Sequence, residues 1–413
     1  MSAATIPSLL VARATSHPAD VALRYFRRGK WTQVTYTEFQ ARAATLGAGM
    51  SAIGVQRDDI VAIVSSDGPL ALAAEIGAQG IGGRVVAINP ELSAEATRSL
   101  LRSAGAKCVL VDNQEQFDKI DEAMSEVPGI QWLIVDSLRG LRSLESLDRD
   151  NRETVLTTTQ LGSRGDSNTW IAGLNSLQSS AIARIQVLGN QLVPKSHEEL
   201  IAVARSTAET LKLTTSDVLF PLHSVCDATE HALQVAGPLL HGATLNFGQP
   251  EQLARNIAQT QPTLLHGTGK WIADLDAAIA RQTSATSGLK ALALQKAIRR
   301  GVPAATLGGS RRPEITRLAG IVGAITTFAF LLLSVKLHDA LRLLVCALIV
   351  IAVVLGLVLS GNAGVGPLRK RYGLARCRAV LWGDEQQPDG ADALGALGVP
   401  LIATNTTNTK DIR

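Results

Sequence analysis

Several places in this 413-residue chain hold residue types at spacings that chemistry could use. Gly267-Thr268-Gly269-Lys270 has the glycines and the lysine of a phosphate cradle, in which backbone N–H groups and an ammonium face an anion. The full Gly-x4-Gly-Lys-Ser/Thr pattern needs glycine at 264 and a hydroxyl after the lysine; the chain has Leu264 and Trp271, so this reading is set aside. His223, His231 and His241 are spaced too widely for a metal pair on one helix and read as core or surface histidines. Asp384-Glu385 could face a cation, but the pair reads as a solvated turn. Arg164-Gly165-Asp166 lies in a polar loop of a chain expected to face the cytoplasm, where an adhesion role has no place.

Composition narrows the classes further. Net charge is +4, and no Lys/Arg block is interleaved with aromatics, which argues against nucleic acid as a partner. Cys108, Cys226, Cys346 and Cys377 are scattered without ligand spacing, so reduced thiols are expected. The opening residues 1–10 lack a basic segment and a long apolar core, and do not read as a signal peptide.

The elements that must position any site alternate helix and strand. Helical spacing over Phe39–Ile53 precedes the apolar run Ile60–Val64, and an Ala-rich helix over Leu70–Gly82 precedes Val85–Ile88. A helix over Ala94–Ala104 leads to Cys108–Val111, and Trp132–Val135 reads as a fourth strand. Short apolar strands between helices predict a parallel sheet covered on both faces. Gly140–Leu177 reads as a polar surface excursion. Alternation resumes with a helix over His197–Leu211, a strand Val218–Leu222, a helix His231–Leu240, a strand Thr244–Phe247 and helices over Leu253–Gln259 and Trp271–Ile298. Later strands are expected at Ala379–Trp382 and Val399–Ala403, around a short helix at Ala391–Leu397.

Between these α/β parts lie two nearly uninterrupted apolar runs, Leu318–Val335 and Leu343–Leu359, joined by a charged connector Lys336–Arg342. At about 1.5 Å per residue each would span roughly 25–27 Å, close to the ~30 Å of a bilayer core. Arg311, Arg312 and Arg317 precede the pair, and Arg369, Lys370, Arg371, Arg376 and Arg378 follow it. The expectation is a transmembrane hairpin in the cell (inner) membrane, multi-pass, with both termini and the α/β domain cytoplasmic.

The order of the pieces resembles the AMP-forming acyl-CoA synthetases, the adenylate-forming superfamily, and its long-chain fatty acid branch in particular. The resemblance rests on Thr35-Tyr-Thr-Glu38, Ile53–Ile63, Val86-Ala-Ile-Asn-Pro90, Ser103–Lys107, Asp217–Leu222, Pro238–Ala243, Gln261–Gly267, Tyr372–Arg378 and Gly398–Ile402, which are collinear over almost the whole chain. It implies an enzyme that joins a carboxylate to ATP and passes the acyl-adenylate to a thiol. Such chemistry needs a Ser/Thr/Gly-rich loop around the phosphates, a carboxylate for Mg²⁺ and a lysine on a C-terminal lid.

Set against that resemblance, the chemistry is eroded. The family's phosphate loop falls on Ile185–Lys195, where only Gly189, Pro194 and Lys195 remain and every Ser/Thr is lost. The adenine and metal motif falls on Thr404–Asn408; Thr407 matches, while Asn408 stands where a glutamate is needed. Gly189, Pro194, Lys195 and Thr407 are therefore the vestigial nucleotide-site candidates; no catalytic residue and no metal ligand is assigned, and ATP and Mg²⁺ binding are expected to be lost.

The expected fold is α/β: the N-terminal large domain of an adenylate-forming enzyme, with parallel sheets and helices on both faces, an inserted two-helix transmembrane hairpin, and no C-terminal lid domain. Its expected divisions are a first subdomain at 1–178, a second at 179–300, a linker at 301–316, the hairpin at 317–360 and a return to the α/β fold at 361–413. The expected role is that of an acyl-CoA-synthetase-like pseudoenzyme, a structural or regulatory subunit or acyl-ligand binder, with the lipid bilayer, other membrane protein subunits and a fatty acyl ligand as partners. The alternative is a working long-chain fatty acid–CoA ligase, completed in trans.

Overall fold

The computed structural model describes residues 4–137, 154–189, 191–222, 225–226, 228–284, 368–382, 394 and 397–403. They fall in two compact units, Met1–Asn256 and Ile257–Arg413.

In the first unit, helix α1 (Ile6–Ser16) precedes a hairpin of β1 (Val21–Arg27) and β2 (Lys30–Thr35). Then follow α2 (Tyr36–Ala52), β3 (Ile60–Val64), α3 (Pro69–Gly80), β4 (Arg84–Ile88), α4 (Ala94–Ala104), β5 (Ala106–Val111), α5 (Gln114–Met124), β6 (Trp132–Val135) and β7 (Val155–Thr157). Two short helices, α6 (Thr158–Gly162) and α7 (Ser167–Gly173), lead to the hairpin of β8 (Ile182–Leu188) and β9 (Gln191–Ser196), and then to α8 (His197–Thr210). After β10 (Val218–Pro221), α9 (Ala228–His231) runs through a π-helical turn, Ala232–Ala236, into α10 (Gly237–His241), and β11 (Thr244–Phe247) follows.

Local sequence explains most of the boundaries. Thr35 with Glu38, Thr157 with Gln160 and Ser196 with Glu199 form capping boxes that satisfy the first backbone N–H groups of α2, α6 and α8. Helix α4 closes on Gly105 at φ 71°, a left-handed position that glycine takes without strain.

One seven-stranded sheet has the order β7-β6-β5-β3-β4-β8-β9. All its pairs are parallel except β8 with β9. The strands β3, β4, β5 and β6 are apolar on both faces, as strands of a parallel sheet covered on both sides are. On one face Leu101, Phe117 and Ile120 from α4 and α5 pack on Val64, Val86, Val109 and Leu133. A second run of strands has the order β10-β11-β1-β2. In the second unit, β12 (Leu264–His266), β13 (Ala379–Trp382) and β14 (Leu401–Ala403) pair in parallel.

Two expectations are corrected. Among the described residues no helix is long and apolar enough to cross a membrane, so a mixed α/β fold is what the structure supports, and the inserted transmembrane hairpin and the inner-membrane, multi-pass placement are not supported. Residues 317–360, on which that expectation was built, lie outside the described residues, as do His223, Asp384 and Glu385. The excursion over 140–177 is also more than surface. Its described part adds β7 to the sheet, and Trp170 is buried with its indole Nε1–H donating to the Gly77 carbonyl at 2.8 Å. A Cβ on Gly47 or Gly80 would overlap that ring, so glycines in α2 and α3 form the notch that receives it.

Candidate functional site

The β8–β9 hairpin carries three of the four sequence-predicted site residues. Its register runs unbroken at the tip, with Val187 opposite Leu192 and Leu188 opposite Gln191, so the strands close across residues 189 and 190 alone. Gly189 sits in that turn at φ 57°, with open space around the position a Cβ would take. Pro194 lies inside β9 opposite Ile185, tolerated because β9 is an edge strand. Lys195 is opposite Arg184, and its Nζ lies 3.5 Å from Glu199 Oε1 in an (i, i+4) pair on a solvated face. Thr407 lies outside the described residues.

This hairpin does not fit a triphosphate. Wrapping phosphate takes several successive backbone N–H groups turned into one concavity. Here those N–H groups belong to a ladder, and the tip exposes Leu188, 52% accessible, in place of a hydroxyl. Gly267 and Lys270 also form no cradle, since Gly267 N–H donates to the Leu381 carbonyl at 2.9 Å within the second unit's sheet.

The structure instead gathers charges that the sequence reading passed over. Arg184 from β8, Glu75 from α3 and His231 from α9 are each buried to within a few per cent. Arg184 Nη1 donates to Glu75 Oε2 at 2.7 Å, and Nη2 donates to the Val225 carbonyl at 2.7 Å. His231 Nε2–H donates to Glu75 Oε1 at 2.8 Å, and Gln79 Nε2 reaches the same oxygen at 3.1 Å. Burial alone pushes the Glu75 carboxyl up, but Arg184 and His231 outweigh it and hold the group at about 2. Burial drives the His231 imidazole down against the pull of Glu75. Glu75 and Arg184 form the ion pair, and His231 Nε2–H donates to it.

A second carboxylate group adjoins the first. Asp67, in the loop between β3 and α3, accepts from Val225 N–H at 2.8 Å and from Gln234 Nε2 at 3.1 Å. The same Gln234 nitrogen donates to Glu230 Oε2 at 2.9 Å. Glu230 is buried and Asp67 half-buried, and two carboxylates bridged by one amide disfavour double ionisation. Burial pushes the Asp67 carboxyl up to about 7, against the hydrogen bonds from Gln234 and Val225 and with the help of Glu230. His197 stands nearby at the start of α8, accepting from the Ile6 N–H at 3.3 Å, and burial takes its ring down to about 4.

The network ties the segment from Val225 to Gln234 onto α3 and β8. Among the described residues no cluster of three His, Cys, Asp or Glu could hold a metal ion. One sequence signal for the network existed: Glu75 is the lone charge in the Ala-rich run 70–82, and Arg184 the lone charge in the strand Ile182–Leu188. A charge alone among apolar residues of a covered element needs a partner.

Comparison with known proteins matches the fold and order of elements. The AMP-binding enzyme family profile matches residues 10–170. The long-chain-fatty-acid–CoA ligase ACSBG1 of Rattus norvegicus is 26% identical over 114 residues, covering 28% of this chain and 16% of that protein. The long-chain-fatty-acid–CoA ligase ACSBG2 of Xenopus laevis is 22% identical over 278 residues, 64% of this chain and 37% of the relative. A solved long-chain-fatty-acid-CoA ligase (FadD1) from Archaeoglobus fulgidus superposes with a TM-score of 0.57 at 14% identity, covering 68% of this chain and 55% of that one. The chain therefore spans between about one sixth and two fifths of the length of these curated relatives. Residues 10–170 match the AMP-binding enzyme family, and over the matched parts the chain is similar to adenylate-forming, acyl-CoA-synthetase-like proteins.

Proposed function

We propose that this protein keeps the acyl-CoA-synthetase scaffold without adenylating activity, and acts as a structural or regulatory subunit or as an acyl-ligand binder. The observation that carries the reading is the β8–β9 hairpin, closed across two residues where the resemblance calls for a phosphate-wrapping loop. Removing one preorganised charge-stabilising donor commonly costs ~10²–10³ in rate, and a whole loop of them is missing at this hairpin. The family match supports the scaffold and is silent on chemistry, since it ends at residue 170, before the hairpin begins.

The test is ATP–pyrophosphate exchange by the purified protein with a panel of long-chain fatty acids. Exchange at the level of the no-enzyme control is expected. A second reading, a working long-chain fatty acid–CoA ligase, draws on the printed names of the curated relatives. Fatty-acid-dependent exchange would establish it and overturn the first.

A further inference from the structure

Arg164-Gly165-Asp166, which neither the fold nor the proposed function absorbs, lines a surface cavity of about 370 Å³. Its floor is small and apolar, with Ala48 and Ala52 from α2 and Ile81 just after α3, and Leu177 closes one side. The wall is fixed. Trp170 is locked into its glycine notch, and a Cβ on Gly165 would overlap the Ala48 carbonyl, so the backbone between the two arms of the tripeptide is pinned against α2. Such a volume suits a small ligand.

The charges are arranged unevenly. Arg57 and Arg164 both line the cavity. Arg57 Nη2 is held by the Ser176 carbonyl at 3.4 Å and the Ser176 hydroxyl at 3.3 Å. Arg164 stacks on the Trp132 ring at 5.8 Å. Among the described residues neither guanidinium meets a carboxylate; each is oriented by neutral groups that leave its charge uncompensated. The one acid on the lining, Asp166, is committed to α7: Oδ1 accepts from Asn168 N–H at 2.9 Å, and Oδ2 from the Thr169 hydroxyl at 3.3 Å. Two arginines and one aspartate leave a single positive charge over an apolar floor. A guanidinium recognises a carboxylate through paired, charge-assisted hydrogen bonds.

We infer that this cavity binds a small organic monocarboxylate, its carboxylate on Arg57 and Arg164 and a short apolar body over Ala48, Ala52 and Ile81. The site stands apart from the β8–β9 hairpin, and the inference does not rest on the proposed function.

Titration calorimetry of the intact protein with hexanoate tests it, with hexanamide as the uncharged control and inorganic phosphate as the competing anion. Saturable binding of hexanoate is expected, with no binding of hexanamide. Arg57→Gln should weaken hexanoate at least about tenfold, the scale of one lost charge-assisted contact. Gly173→Leu provides a second variant: Gly173 lines the cavity, with φ −64° and open space around its Cβ, so the backbone accepts a leucine there, and the added bulk should weaken hexanoate binding. Absence of saturable hexanoate binding, equal binding of hexanamide, displacement by phosphate at lower concentration than hexanoate, or binding unchanged in both variants would each overturn the assignment.

Discussion

Glu75 and Arg184 show what a buried charge demands at the scale of one residue. Each sits among apolar packing, and each has its charge met: the carboxylate by a guanidinium, a histidine and an amide, the guanidinium by that carboxylate and a carbonyl. Pairing of this quality offsets desolvation and adds little net stability, but removing one partner strands the other. Glu75→Ala should therefore cost ~3–5 kcal/mol in urea denaturation. Glu75→Ala with Arg184→Met should recover much of that loss, because no orphaned charge remains. Asp67 adds a pH dependence of definite sign. Its carboxyl is raised to about 7, so the native state keeps a proton that the unfolded chain releases at a lower pH. The stability it contributes is complete below the ordinary carboxylate range and is lost as pH rises through about 7. His197, lowered to about 4, acts in the opposite sense, losing its contribution as pH falls from the ordinary histidine range towards 4. Because the two windows overlap, the informative comparison is between wild type and Asp67→Asn. The asparagine cannot ionise, so the difference between the two should widen in favour of the variant between pH 5 and pH 8. A constant difference across that range would show that Asp67 does not titrate in the native state.

At the scale of elements, the first unit is held by close approaches that glycine permits and larger residues forbid. Helices α2, α3 and α7 meet where Trp170 enters the notch of Gly47, Gly77 and Gly80. Overpacking a filled interior costs ~1–3 kcal/mol, so Gly80→Ala should destabilise by that amount although alanine is the better helix former by about 1 kcal/mol. A thermal melt of the variant beside the wild type would report the loss. None of this was evident from residues 140–177 read in isolation, which look polar and aperiodic. The strand Val155–Thr157 is only three residues long, and its place in the sheet comes from its register with β6. The hairpin at 182–196 was similarly hidden. Compared with a family loop, Ile185–Lys195 reads as a broken cradle, whereas its alternation of Arg184, Gln186 and Leu188 against Ile185 and Val187 is that of a strand with two unlike faces.

At the scale of the whole chain, some features follow from sequence and others need the fold. Continuous apolar runs such as Ile60–Val64 and Ala106–Val111, spaced by capped amphipathic helices, specify parallel strands covered on both faces, because the backbone periodicities are local and the burial they imply is nearly unconditional. The order of those pieces carried the family resemblance as well, and both are legible without coordinates. The apolar runs at 318–359 were equally legible as patterns; they lie outside the described residues, among which no helix is long and apolar enough to cross a membrane. Tertiary structure decided which residues meet across long separations in sequence: Asp67 with Val225 and Gln234, Glu75 with Arg184 and His231, Arg57 with Ser176. Spacing along a chain fixes partners only within a turn or a ladder. Charges brought together from separate elements are set by how those elements pack. The buried network, the arginine-lined cavity and the outer strands β7, β8 and β9 therefore came from the fold, while the strands β3 to β6, the helices between them and the lost hydroxyls of the phosphate loop were already written in the order of the residues.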